Sequence, residues 1–499
     1  MCEVAKVAEK RKVAVVGAGT GGLAAAMLLA ADGFEVDVFE KQPFLGGRNS
    51  RVQVGEYTFD CGPTFFMMPH ILEEIFEQTG RNLHDYVNLV PLDPMYQLRF
   101  GDVQLNMTTD RDAMEARIEQ HFPGNGAGYR RYLKQEEVKF DALAPLLQRP
   151  FSSMLDYVAT DVIKALPKLS LGESVYDRLS SYFTDERLRY AFAFQAKYLG
   201  MSPWDCPGAF TILSYLEHKW GLFHPIGGLN RLVQAMADVV QELGGRIHLG
   251  SGVQQITTRG RRTTGVQLQS GAQHAADHVV VNADFGYTAH NLFAPGVLKK
   301  YSPAKLADKK YSCSTFMLYF GLRRKVDMPH HTVIFSGDYE RNVRDITTGA
   351  QLSDDPSIYV HNPSALDASL APEGHTALYV LMPCPNTLSD IDWADAKADA
   401  RARVIAQLKR QPELANFEDD IVVEHVLTPD DWQNNYFIHN GATFNLAHNL
   451  GQMMAFRPHN KFEEVDGVYL VGGGTHPGSG LPTILESARI SAKLIKQSS

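Results

Sequence analysis

Cysteine is scarce in this chain. Five thiols, Cys2, Cys61, Cys206, Cys313 and Cys384, are scattered through 499 residues with no C-x-x-C pair. An odd, dispersed set is neither a disulfide framework nor a zinc knuckle, and it fits reduced thiols in a cytoplasmic protein. Long apolar runs are missing too. No stretch of 18 apolar residues occurs, so no spanning helix is expected, which leaves attachment to a membrane surface open. Residues 1–11 are charged and lack an apolar core, so no secretory signal is expected. Basic charge is not in excess: 48 Lys and Arg face 57 Asp and Glu, for a net charge of −9. That balance gives no support for a nucleic-acid partner. Internal repeats, a P-loop, a Ser-His-Asp order and a zinc motif are also lacking. A composition 44% apolar over this length can bury the cores of two to four domains or subdomains.

What the chain does have begins at Lys12. An apolar strand, Val13-Ala14-Val15-Val16, runs into Gly17-Ala18-Gly19-Thr20-Gly21-Gly22 and then a small-residue helix. Gly17 permits the tight turn. Gly19 lets backbone approach a pyrophosphate, and Gly22 lets the helix lie close to the strand. Free N–H groups at the helix start suit phosphate. A second strand, 35–40, ends in Glu40, where a ribose-binding carboxylate belongs. Glu40 would repel a 2′-phosphate, which disfavours NADP and leaves FAD or NAD. There is no second complete G-x-G-x-x-G, so no nicotinamide domain is expected.

Lys41 is followed by Pro43-Phe44-Leu45-Gly46-Gly47-Arg48 after Gln42, then by Phe59-Asp60-Cys61-Gly62-Pro63-Thr64. The second Gly-Gly pair allows another close backbone approach. Arg48 offers a forked cation to phosphate, with a salt bridge as the plainer alternative. This succession resembles the flavin-binding start of the amine oxidase and phytoene desaturase superfamily.

Residues 91–107 alternate as strands, with Gly101-Asp102 as a hairpin turn. Helical patterns follow at 112–120, 128–147 and 186–196, broken by Pro123, Pro150, Pro167 and Pro203. They cap a substrate pocket or form a packed subdomain. Residues 224–284 read as a β-α-β unit, which in the resemblance completes the cofactor sheet, with Val253 near the adenine. Residues 311–460 read as a second sheet with covering helices. His330-His331 suggests a metal, but adjacent strand residues point to opposite faces and no ligand set lies at helical spacing nearby, so no metal site is expected.

The last segment is a strand, 467–471, a glycine-rich loop, Gly472-Gly473-Gly474-Thr475-His476-Pro477-Gly478-Ser479-Gly480, and a helix opening with Leu481, Pro482 and Thr483. This loop is similar to the signature of bacterial-type carotenoid desaturases, enzymes of phytoene or 4,4'-diapophytoene. Ser357-Ile358-Tyr359-Val360-His361-Asn362-Pro363-Ser364, Ala371-Pro372-Glu373-Gly374-His375 and Phe456-Arg457-Pro458 match the same family. Gly478-Ser479-Gly480-Leu481-Pro482-Thr483 stands closer to the C30 type.

The resemblance implies an α/β fold. A Rossmann-like FAD-binding domain (10–80, 224–292 and 462–499) carries a mixed-sheet substrate domain (81–109 and 293–461) and a helical, membrane-facing lid (110–220). It implies FAD held by Gly17, Ala18, Gly19, Gly22, Glu40, Lys41, Gly47, Arg48, Thr64, Val253, Gly473, Gly474, Leu481, Pro482 and Thr483. The expected activity is desaturation of a long isoprenoid by a peripheral membrane protein, with oxygen or a quinone as final acceptor. The alternatives are a carotenoid-end oxidase, another flavin amine oxidase, or a prenyl-lipid carrier without flavin chemistry. Phe65, Phe66, Tyr319, Phe437 and Phe444 line an apolar tunnel or belong to ordinary core. His476 is the candidate base beside the flavin edge, against a role in bracing its loop.

Overall fold

The computed structural model describes residues 11–498. Cys2 and most of the segment expected to lack a secretory signal lie outside the described residues. Three long-range units surround the glycine turn.

The first is a five-stranded parallel sheet. Its strands are β1 (Lys12–Val16), β2 (Glu35–Phe39), β3 (Arg246–His248), β4 (His278–Val281) and β5 (Val468–Leu470), in the order β5-β4-β1-β2-β3. Valines dominate β1 and β4 because both faces are covered. Val13 and Val15 of β1 enter one apolar cluster, Ala14 and Val16 the other. That is the two-residue period of a strand. The first cluster holds helix α1 (Thr20–Ala31), flanked by α2 (Asn230–Glu242) and α3 (Leu481–Gln497). Every residue of α1 from Gly21 to Ala30 is buried. Glycine and alanine suit that position because they let the helix axis approach the sheet.

The second unit is a seven-stranded mixed sheet. Its order is Ile421–Leu427, Ser314–Leu322, Thr376–Cys384, Ile358–His361, His331–Ile334, Tyr96–Phe100, Val103–Met107. The hairpin through Gly101 forms as the sequence indicates. The third unit is helical: Arg111–His121, Gly126–Leu147, Glu186–Ala193 and Ile212–Trp220, with shorter turns between. An aromatic band joins it to the mixed sheet. Phe194 meets Tyr96 at 5.7 Å and Phe335 at 6.1 Å between ring centroids, and Tyr190 meets Tyr339 at 4.8 Å.

Strands β3 and β4 of the 224–284 stretch join the cofactor sheet, and Val253 lies between them in the chain. It opens the strand Val253–Arg259, which pairs antiparallel with Arg262–Leu268 in a separate three-stranded sheet. A turn at Gly260 (φ +62°) folds this stretch back on itself before it can reach the parallel strands.

A candidate flavin cradle

The strand ends of the cofactor sheet converge on Asn282, just past β4. Its Nδ2 donates to the Gly17 carbonyl at 3.4 Å. A Cβ at Gly19 would stand 2.7 Å from that Nδ2, and one at Gly21 would stand 2.8 Å from Oδ1. A Cβ at Gly22 would collide with the Gly17 carbonyl. Gly17 itself sits at φ +97°, a conformation that favours glycine. The turn therefore has no room for side chains. Nor does any side chain cap α1, whose N-cap is Gly19. Its leading N–H groups and its positive dipole end are left to a ligand.

The other predicted pieces arrive at the same place. Gly46 donates its N–H to the Ala18 carbonyl at 3.0 Å, so the second glycine pair lies against the first turn. A Cβ at Gly47 would meet nothing within 4 Å. Arg48 reaches Asp284 Oδ2 through Nη2 at 3.0 Å, while its Nε is buried without a partner. The plain salt bridge is thus present, and one edge of the fork is still unused. Glu40 is 8% exposed; its Oε2 accepts from Ala18 N–H and its Oε1 from Gln42 N–H, both at 2.8 Å. Burial pushes its pKa up, opposed by those backbone donors. Each oxygen keeps a lone pair that a ribose hydroxyl can use.

The C-terminal loop closes the ring. A Cβ at Gly21 would lie 3.3 Å from Gly472 N and 3.1 Å from Ile484 in the first turn of α3. Helix α3 also lacks a side-chain cap: its N-cap is Gly480, with Leu481, Pro482 and Thr483 following. Thr483 Oγ1 lies within 3.1 Å of the Gly478, Ser479 and Gly480 carbonyls. Gly473 and Gly474 are packed by Ser479, Phe285 and Asn445. Two uncapped helix starts, an orphaned guanidinium nitrogen and glycines with no space for Cβ fit a dinucleotide with two phosphates.

Three predicted residues have other partners. Lys41 Nζ stands 3.3 Å from the Phe437 ring centre and 3.2 Å from the Tyr287 hydroxyl. Thr64 Oγ1 is 2.7 Å from the Tyr359 hydroxyl. His476 is buried against Phe151 of the helical unit, ring centroids 5.1 Å apart. Neither of its nitrogens makes a hydrogen bond of good geometry, although the carbonyls of Leu146 and Arg149 are close. Burial, above all, lowers its pKa to about 4. The aromatic set divides as well. Tyr319 is sheet core, its hydroxyl on the Cys61 carbonyl at 2.5 Å, and Phe437 covers Lys41.

Sequence reasoning missed three hubs. Asn282 is one. Asp284 is the second: Oδ2 accepts from Arg48 and from Asn445 Nδ2 at 2.7 Å, and Oδ1 accepts from Tyr287 N–H. Arg457 is the third, fully buried and donating to five carbonyls that include Gly473 and Thr475. The position of Asn282 and Asp284 at the C-terminal end of an apolar strand was the available signal.

The Flavin containing amine oxidoreductase family model matches residues 20–496. A 4,4'-diapophytoene desaturase (4,4'-diapolycopene-forming) of Methylomonas sp is 48% identical over 98% of this chain and 96% of its own. A zeta-carotene-forming phytoene desaturase of Myxococcus xanthus is 40% identical over 96% of this chain and 93% of its own. The chain belongs to the carotenoid desaturases of the flavin-containing amine oxidoreductase family. Its architecture is the family's: a putrescine oxidase bound to putrescine superposes with a TM-score of 0.64 at 14% identity, covering 98% of this chain and 99% of that one. The family model's match takes in both the start of α1 and the C-terminal loop.

The folded chain corrects the argument against a histidine cluster. His330 and His331 do not face opposite ways, because His330 precedes the strand His331–Ile334. Its Nδ1 lies 3.2 Å from His331 Nε2. Folding then adds His224 and His361 to His330, each offering a nitrogen within 4.8 Å of the others. Residues so distant in sequence carry no spacing signal.

Proposed function

We propose that this protein is an FAD-dependent desaturase of a long isoprenoid of the 4,4'-diapophytoene class. The observation that carries the reading is the convergence of two uncapped helix starts and the unused edge of Arg48 on the glycine turn, in a chain related over its full length to carotenoid desaturases. In the reaction a hydride leaves one allylic carbon and a proton leaves its neighbour, giving a conjugated double bond. FAD, when bound, supplies the hydride acceptor. Gly17, Ala18, Gly19, Gly22, Gly47 and Arg48 hold the diphosphate. Glu40 takes the ribose, and Lys41, Thr64 and Val253 flank the cofactor. Gly473, Gly474 and the Leu481–Thr483 turn set peptide N–H groups beside the ring system. Oxygen or a membrane quinone is the final acceptor.

His476 is proposed to brace its loop rather than to take the substrate proton. Its backbone does the work: its carbonyl accepts from Asn460 Nδ2 at 2.8 Å, and its N–H donates to Pro458 at 3.3 Å. An allylic cation-like species loses its proton to a weak base, so no strong base is required.

The helical unit 110–220 is proposed as the lid and the membrane-facing surface. Among the described residues no helix is long and apolar enough to cross a membrane. Yet Leu155 is 77% exposed, Val158 66% and Ile163 53%, on consecutive turns that also carry Lys164 and Lys168. Clustered apolar side chains beside lysines suit an interfacial contact. The aromatic band under the lid gives an apolar substrate a route to the mixed sheet.

The test has two arms. Flavin released from the purified protein is identified by chromatography, and pigment is analysed after co-expression with a supply of diapophytoene or phytoene. FAD and a conjugated C30 product are expected. A flavin-free protein, or no new chromophore from either supply, overturns the reading.

A further inference from the structure

Three buried histidines come together with ring nitrogens that lack hydrogen-bond partners. His224, His330 and His361 are 1%, 8% and 1% exposed. His224 Nδ1, His330 Nε2 and both nitrogens of His361 have no hydrogen-bond partner. Buried polar atoms are nearly always paired, so unpaired nitrogens on three imidazoles that meet call for a guest. The ring centroids of His330 lie 4.7 Å from His224 and 4.8 Å from His361.

The outer contacts determine which atoms face inward. Asp367 Oδ2 accepts from His224 Nε2 at 3.0 Å, which puts that proton on Nε2 and leaves Nδ1 a lone pair. On the other side runs a relay: His330 Nδ1 to His331 Nε2 at 3.2 Å, His331 Nδ1 to the Tyr359 hydroxyl at 2.6 Å, and that hydroxyl to Thr64 Oγ1 at 2.7 Å. With the protons on Nδ1 of both histidines the relay is complete, and His330 Nε2 becomes a lone pair. A carboxylate behind one histidine and a polar relay behind another is the outer shell that orients metal-binding imidazoles. The counter-charge is present too: Asp367 lies on His224, and Asp60, within electrostatic reach of His224, has a buried and unpartnered Oδ2.

We propose that His224, His330 and His361 bind one divalent first-row transition-metal ion, with zinc as the best chemical match. Zinc takes imidazole nitrogen at ~2.0 Å, which sets tetrahedral ligands ~3.3 Å apart. Nitrogens within 4.8 Å of one another reach that spacing by small ring rotations. An all-imidazole set favours zinc or its neighbours over magnesium or calcium. The ion joins His224, in the strand Phe223–Pro225 ahead of α2, to His361 of the mixed sheet and to His330, one residue ahead of the sheet strand His331–Ile334. Its role is to clamp the cofactor side to the substrate sheet, and no electron transfer is assigned to it.

The experiment uses the flavin-loaded full chain, expressed with zinc in the medium and passed through metal-free buffer. Elemental analysis is expected to find close to one zinc per chain in wild type and in H84Q, whose histidine is on the surface. H361Q and H330Q are expected to lose it. Chelator-stripped wild type is expected to melt lower and to recover on adding zinc, and the two variants are not. If the variants do not fold, X-ray absorption at the zinc edge of wild type decides, and three imidazole scatterers are expected. A wild type without zinc, equal zinc in H361Q, or a spectrum of oxygen or sulfur ligands alone overturns the proposal; the rings then enclose water.

Discussion

Replacing Arg457 with methionine is expected to loosen the C-terminal loop before anything else in the protein. Arg457 is 0% exposed, and among the described residues no carboxylate pairs with it. Its five N–H groups go to backbone. Nε donates to Thr475 at 3.2 Å, Nη1 to Ala447 at 3.4 Å and Gln452 at 3.2 Å, and Nη2 to Leu446 at 3.2 Å and Gly473 at 2.6 Å. Burial pushes its pKa down to about 9, which leaves it charged at neutral pH. One side chain thus ties residues 446–452 to the loop that faces the proposed flavin site.

In Arg457→Met the chain keeps much of the volume and loses all five donors. Ala447 keeps the Gln452 amide, 3.2 Å away. If water serves two of the other four carbonyls, two buried acceptors remain unpaired. At ~1–3 kcal/mol each, that is a loss of ~2–6 kcal/mol. Arg457→Lys keeps the charge but offers only three donors from a point, so it should fall between. The assay is a thermal melt read by flavin fluorescence, with retained flavin measured after gel filtration. A chain of this size need not unfold in one step, so midpoints are ranked rather than converted to free energies. The expected order is wild type, Lys, Met, with flavin lost first in the Met variant. A Met variant that melts with wild type and retains its flavin would refute the reasoning.

Five further outcomes are expected. Gly19→Val, whose Cβ would meet Asn282 Nδ2 at 2.7 Å, should fold with little flavin, and Glu40→Ala should weaken flavin binding by ~1–3 kcal/mol; equilibrium dialysis reads both. His218 is buried, with Nδ1 3.1 Å from the Thr108 carbonyl, and burial lowers its pKa to about 4. A depressed folded pKa gives stability present above the unfolded value and lost as pH falls through the folded one, so wild type should lose ~3 kcal/mol between about pH 6.5 and 4 from this group; in His218→Phe that part of the decline in melting midpoint should vanish. Leu155→Glu with Ile163→Glu should abolish flotation with liposomes and leave the flavin spectrum unchanged. His476→Gln, once loaded with FAD, should reduce its flavin in a single turnover at near the wild-type rate, whereas a loss of ~10²–10⁴-fold would make His476 the base.

The parts of the site that were legible in sequence are those built by local chain. Gly17 and Gly22 announce a turn because a positive φ and the Gly17 carbonyl are local demands, and Gly19 is legible by its spacing between them, although the atom it makes room for belongs to Asn282. Glu40 follows at the end of the next strand, and Pro482 marks the start of α3. The elements of the mixed sheet were legible by alternation, but not their order, because pairing Thr332 with Gln97 joins residues far apart in the chain. The hubs were hidden for the same reason. Asn282 meets Gly17 across 265 residues and Asp284 meets Arg48 across 236. His330 was misread because the two-residue period was applied one residue before the strand begins.

Arg48 and Asp284 show why an ion pair inside a cradle does not argue against a phosphate role. Asp284 does not depend on Arg48. Its oxygens also accept from Asn445 Nδ2 at 2.7 Å, Tyr287 N–H at 3.2 Å and His439 N–H at 3.3 Å. Arg48 can give up that contact without leaving a bare buried carboxylate. Arg48 spends only Nη2 on the pair, and its side chain is 31% exposed. Its Nε is left with nothing. A diphosphate at the glycine turn offers two charges and a planar partner for the fork, which a single oxygen of Asp284 does not. On the proposed reading the pair is a holding position. Asp284 keeps the guanidinium beside Gly46 and Gly47, and because Asp284 also holds Asn445 next to Gly474, the same carboxylate sets the N-terminal turn against the C-terminal loop.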